Sequence, residues 1–241
     1  MCTVTLFPKG NQDFILTSNR DEAPQRESLQ PQFYSNSKAT LLYPQDVTSG
    51  GTWIGASDKN RAVCVLNGGF EIHKRQLPYR LSRGLVVTQF LEADHLESLV
   101  ANYDFKNIEP FTMVLVDWNE ELKCYELVWD GTTAHFKNLP LKPHVWSSST
   151  LYNTDMRAER QEWFQDFLKE EKNNSASILQ FHKTAGTDNL HYGAIMDRGV
   201  VKTTSITQIV KQDEVLTMAF ENLQTEEQST QTVLLPLAFD A

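Results

Sequence analysis

Cysteine is scarce in this chain of 241 residues. The three present, Cys2, Cys64 and Cys124, are an odd number without the spacing of a disulfide framework. That argues against a secreted, stapled scaffold and for a reducing, cytoplasmic compartment. No run approaches the roughly 20 apolar residues of a membrane span, so no integral membrane segment is expected. Lys9, Asn11, Gln12 and Asp13 interrupt the first apolar stretch and no basic segment precedes it, so no secretory leader is expected either. Positive charge is also in short supply. The 22 lysines and arginines stand against 31 acidic residues, a net charge of −9, which leaves no basic field for nucleic acid. There is no C-x-x-C, no H-E-x-x-H, no phosphate loop and no dinucleotide fingerprint, and the six histidines are scattered. Neither a metal nor a cofactor is therefore expected. Repeats, low-complexity tracts and linkers are lacking as well, and residues 1–241 read as one domain.

What the chain does contain is short alternating segments. In "MCTVTLF", Cys2, Val4 and Leu6 alternate with Thr3, Thr5 and Phe7, a period of two that predicts a strand. "KGNQD" is turn-like and "FILTSN" a second strand, so residues 2–19 read as a hairpin. Residues 20–50 are polar and proline-bearing and read as a long surface loop. "TWIGAS" and "AVCVLNGG" form a second hairpin. Leu81, Leu85, Val86 and Phe90 have helical spacing, and Asp94 is placed to cap a helix carrying Leu96, Leu99 and Val100. "FTMVLVDW", "KCYELVWD" and "TAHFKN" are strands, and "HVWSSST" a strand end. After Asn153, the residues Arg160, Trp163, Phe164, Phe167 and Leu168 share one helical face. "SASILQFH" is a shorter helix, and "VVKTTSITQIV", "EVLTMAF" and "TVLLPL" are strands. Runs of strands alternating with runs of helices predict an α+β fold of sheet packed on sheet with outer helices.

Four places could carry chemistry. Cys2 becomes the first residue once Met1 is removed, and then bears a thiol and a free α-amine. Their ordinary pKa values, about 8.5 and about 7.7–8.0, allow the amine to serve the thiol as general base. A plain strand residue behind an initiator methionine would look the same. "SNRDE" ends the second strand, so the hairpin can return Arg20 and Asp21 toward Cys2; a solvated charge run is the competing reading. Asn67 in "VLNGG" ends an apolar strand, where its amide could donate to an oxyanion and Gly68 could let a substrate approach; a hairpin turn is the alternative. Gly50 and Gly51 in "SGGTWIG" read as turn residues and Trp53 as a packing or pocket-wall residue.

Taken together, "MC", "SNRDEAPQR", "GGTWIG", "VLNGG", "SSSTLYN" and "TTSITQI" resemble the NRDE family, also called the transport and Golgi organisation protein 2 family. The resemblance runs from Cys2 to about Ile209. It implies a branch of the N-terminal-nucleophile (Ntn) hydrolases and a four-layer αββα sandwich. By similarity to the cysteine hydrolases that cleave bile-salt amides and penicillin V, Cys2 matches the nucleophile, Arg20 the arginine after the second strand, Asp21 the nearby aspartate and Asn67 an oxyanion asparagine. A second oxyanion asparagine of those enzymes falls where this chain has Ser147, Ser148 and Ser149, with Ser148 as the candidate. Arg20 and Asp21 are adjacent here, whereas those hydrolases separate the two. The implied activity is hydrolysis of a non-peptide amide or related acyl bond in a small molecule, with Trp53 and Gly68 as substrate contacts. The alternative is a haem or acyl-lipid metabolite carrier using the same pocket, since family members have been linked to haem handling and lipid metabolism.

Overall fold

The computed structural model describes residues 3–10, 12–170 and 173–235. Two antiparallel sheets stack face to face. The first hairpin forms as its pattern predicts: β1 (Thr3–Lys9) pairs with β2 (Asp13–Glu22) through a turn at Gly10, whose φ of +68° suits glycine. β2 then pairs with β11 (Lys202–Gln212), followed by β12 (Val215–Asn222) and β13 (Gln228–Leu234), while β10 (His144–Ser147) closes the other edge beside β1. The second sheet runs in the order β3 (Gln32–Ser35), β4 (Thr40–Tyr43), β5 (Ile54–Ser57), β6 (Arg61–Asn67), β7 (Phe111–Asp117), β8 (Lys123–Trp129) and β9 (Ala134–Leu139).

The alternation in β1 assigns its two faces. Val4 and Leu6 enter the main core between the sheets, joined by Phe14 and Leu16 of β2. Phe7 and Ile15 point the other way, into a second cluster with Phe164, Phe167 and Phe181. Those aromatics belong to α3 (Thr154–Lys169) and α4 (Ser175–Thr184), which cover the outer face of the six-stranded sheet. α1 (Arg83–Leu91) packs on β5 and β6, and Glu97 of α2 (Leu96–Asn102) accepts the Tyr125 hydroxyl of β8. The result is the expected αββα layering. No helix among the described residues is long and apolar enough to cross a membrane.

Two expectations need correction. Residues 20–50 are not a long loop: β2 runs on to Glu22, and β3 and β4 lie within the segment. Each is only four residues long, and β4 is buried by its neighbours rather than marked by its own alternation. Asp94 does not cap α2. The N-cap is His95, without a side-chain bond, and Asp94 instead accepts from Lys59 at 2.7 Å.

Candidate active site

A cleft of about 450 Å³ opens at one end of the sandwich, and Arg20, Trp53 and Asn67 all line it. Cys2 lies outside the described residues. Its neighbour Thr3 pairs in register with Asn19 of β2 and Ser147 of β10.

Arg20 is 2 % exposed and sits on the inner face near the end of β2. One terminal nitrogen donates to Asp46 Oδ2 at 2.5 Å, and the other to Thr204 Oγ1 at 3.1 Å and the Arg26 carbonyl at 3.0 Å. The guanidinium carbon lies 4.8 Å from the ring centre of Trp53, a cation–π contact. Thr204 reaches Arg20 because β11 shifts register between Thr203 and Ser205; such irregularities re-aim side chains. Burial pulls the Arg20 pKa down, against the favourable charge of Asp46. Burial pushes Asp46 up, but the Arg26 hydrogen bond, the Ser49 N–H and the two guanidinium charges outweigh it, so the carboxyl titrates below its ordinary value.

Asp21 follows Arg20 on the same strand and therefore faces the other way. It is 2 % exposed and takes hydrogen bonds at 2.7 Å from both the Tyr152 hydroxyl and Thr203 Oγ1. It does not line the cleft. Behind it, Arg160 of α3 lies 4.2 Å from the Tyr152 ring centre and donates to Ser147 Oγ at 3.0 Å, and also to Thr3 Oγ1.

Asn67 is the last residue of β6 and pairs with Phe111. Its side-chain amide has no protein partner among the described residues, which leaves it available to a ligand. Its main-chain carbonyl accepts Ser148 Oγ at 2.7 Å. The Asn-Gly pair is not a hairpin turn: α1 and α2 intervene before β7. Gly68 has φ +88°, and a Cβ there would meet Ser149 Oγ at 2.3 Å. Its smallness admits the 148–150 loop, and neither Gly68 nor Ser148 lines the cleft. Trp53 does line it, buried at 4 % exposure.

Sequence reasoning passed over Asp46, Tyr152, Arg160, Thr203 and Thr204. Arg160 carried a signal, a charged residue on an otherwise aromatic helical face. Tyr152 lies in "SSSTLYN" and Thr203 and Thr204 in "TTSITQI", but nothing in those motifs shows the distant partner each reaches, and Asp46 lies outside them.

The Transport and Golgi organisation 2 family model matches residues 1–233. The chain belongs to that family. A comparison with curated proteins gave no sequence match. Among solved structures, a conjugated bile acid hydrolase from Clostridium perfringens superposes with TM-score 0.62 at 9 % identity, over 98 % of this chain and 92 % of that one. A Caenorhabditis elegans orthologue of N-acylethanolamine-hydrolyzing acid amidase gives 0.59 at 12 %, over 96 % and 100 %. Penicillin V acylase from Agrobacterium tumefaciens gives 0.50 at 12 %, over 94 % and 84 %. At these identities the likeness is one of fold: this family member has an Ntn-hydrolase-like sandwich.

Proposed function

We propose that this protein is an N-terminal-cysteine hydrolase of a non-peptide amide or related acyl bond in a small molecule, working as one domain in the reducing cytoplasm. The observation that carries the reading is that Arg20 and Asn67, from different sheets, line one cleft, with the Asn67 amide unclaimed by protein among the described residues. The fold is shared with proteins named as a bile acid hydrolase, an acid amidase and a penicillin V acylase, which favours amide chemistry.

In the proposed reaction, removal of Met1 frees the α-amine of Cys2. The amine takes the thiol proton, and the thiolate attacks the acyl carbon. Asn67 donates to the oxyanion that forms. Collapse breaks the C–N bond, and the leaving amine takes the proton back. Water, deprotonated by the α-amine, then cleaves the thioester, releasing the acid and restoring the thiol. Arg20 supplies a fixed positive charge at the cleft wall, and Trp53 an apolar surface beneath the substrate. Asp21 is assigned to ordering the strand end from the opposite face through Tyr152 and Thr203. Ser148 is assigned to holding Asn67.

The test is a panel of N-acyl amides and acyl thioesters against Met1-processed protein, with mass spectrometry for an acyl adduct on residue 2. Turnover with an adduct, lost in Cys2→Ser, is expected. An absence of turnover and adduct across the panel, with stoichiometric haem or acyl-lipid binding that survives Asn67→Ala, would replace this reading with the carrier.

A further inference from the structure

The cleft carries charge of the opposite sign to the molecule as a whole. The chain bears −9, yet the cleft is lined by four arginines, Arg20, Arg26, Arg75 and Arg83, against the three carboxylates of Glu22, Asp46 and Glu109. All three carboxylates are already engaged, Glu22 by Arg26 at 3.2 Å and by the Ala23 N–H at 3.0 Å. Asp46 is held by Arg20 and Arg26. Glu109 is met by Arg75 Nε at 3.1 Å, by Arg83 at 3.1 Å and by His73 Nε2 at 3.4 Å. Arg75 differs from the other three. Its side chain is 65 % exposed, and its approach to a protein carboxylate is through Nε, 3.1 Å from Glu109 Oε1. A guanidinium anchored through Nε presents its outer edge as a two-donor fork, the geometry that matches a carboxylate or phosphate. Nearby donors add to this. The first turn of α1 lines the cleft without an acidic residue.

We infer that the cleft binds the anionic group of its substrate at Arg75, with Glu109 fixing the guanidinium, so that the substrate is an acyl compound carrying a carboxylate or phosphate besides the bond to be cleaved. This rests on the hydrolase reading above for the bond, but not for the binding. Burial lowers the pKa of Arg83 and Arg20, as expected where positive charge is poorly solvated and an incoming anion would be favoured.

The experiment uses matched pairs that differ in one anionic group: N-octanoylglycine against N-octanoylglycinamide, and N-octanoylphosphoethanolamine against N-octanoylethanolamine. Binding is measured by calorimetry on Cys2→Ala, where no turnover can occur, and kcat/KM on the processed wild type. The anionic member of at least one pair is expected to be preferred about 10- to 100-fold, the range of a hydrogen bond to a charged group. The pair that responds tells carboxylate from phosphate. Arg75→Ala should collapse that preference toward unity, Arg75→Lys should restore part of it, and Lys169→Ala, on the exposed end of α3, should leave it in place. Equal treatment of both members of both pairs overturns the anion site while leaving the hydrolase intact. Charge-selective binding without turnover of any compound keeps the anion site and removes the hydrolase. A preference that survives Arg75→Ala moves the anion to another group and overturns the assignment to Arg75.

Discussion

Ser148 Oγ donates to the main-chain carbonyl of Asn67 at 2.7 Å, tying the end of a strand in one sheet to the end of a strand in the other. A hydroxyl has one proton to give. With that proton on Asn67, the 2.9 Å contact between Ser148 and Thr150 must have Thr150 as donor. Ser148 therefore serves the position of Asn67 rather than offering a donor of its own to the cleft.

Ser148→Ala should then lower kcat by misplacing Asn67, by roughly 10-fold. The cost should stay below the about 10²–10³ expected for Asn67→Ala, the loss typical of one oxyanion donor. Stability should fall by about 1 kcal/mol for the lost buried hydrogen bond. Steady-state kinetics and urea denaturation on both variants check this. A loss equal to that of Asn67→Ala would mean that Ser148 donates to the reacting group directly.

Gly68→Ala should be more damaging to the fold than its size suggests. The backbone there has φ +88°, and the new Cβ would stand 2.8 Å from Thr150 Cγ2 as well as against Ser149. Left-handed strain and the contact together should cost about 2 kcal/mol or more. Denaturant midpoints measure it, and a change below about 0.5 kcal/mol, an ordinary surface effect, would contradict the geometry.

The three cysteines should separate sharply in reactivity. Cys64 and Cys124 are buried in β6 and β8, and burial pushes both thiols up to about 12. The thiolate is the reactive species, so both should be protected from a thiol reagent in the folded protein at pH 7.5. Labelling should fall on residue 2 alone until denaturant is added. Peptide mapping after a timed iodoacetamide pulse reads this directly, and comparable labelling of all three would count against an activated nucleophile.

The parts legible in the sequence were those that local chemistry specifies. β1 alternates cleanly, a polar turn separates it from the apolar start of β2, and Arg20 and Asn67 stand out as polar residues near the ends of their strands. β3 and β4 were not legible. Four-residue strands carry too few alternations to set a period, and β4 owes its burial to the partners on each side. The supporting residues were hidden for a different reason. Asp46 reaches Arg20 across 26 positions, Tyr152 reaches Asp21 across 131, and Thr204 reaches Arg20 across 184. Nothing local to Thr204 announces the register shift that turns it inward. Reading it would need the pairing of β2 with β11, which is a property of the assembled sheet.

His182 makes stability depend on pH in a specific window. It is fully buried behind β2 on α4, where Thr5 Oγ1 lies 2.8 Å from Nε2 and Asn19 Oδ1 2.6 Å from Nδ1. Asn19 Nδ2 donates to the carbonyls of His182 and Ala194, which fixes its Oδ1 as the acceptor. His182 therefore carries its proton on Nδ1, and Thr5 donates to Nε2, a neutral ring with both nitrogens satisfied. Burial first, and the Arg160 charge second, lower its pKa to about 3. In the unfolded chain the ring titrates near an ordinary value of about 6.5. Between those two values the unfolded state binds a proton that the native state does not, so the contribution is complete above about pH 6.5 and is lost as pH falls toward 3. Asp46, whose pKa is also lowered in the fold, adds a loss of the same sign, but only below the ordinary carboxylate range of about 4. Urea denaturation at pH 7.5, 6.0 and 5.0 should thus show a decline above the carboxylate range that His182 produces. His182→Gln keeps a polar side chain at the site but cannot titrate. It should be less stable than wild type at pH 7.5 and should show a markedly flatter decline between pH 6.5 and 5. An unchanged slope in that variant would assign the acid sensitivity to groups other than His182.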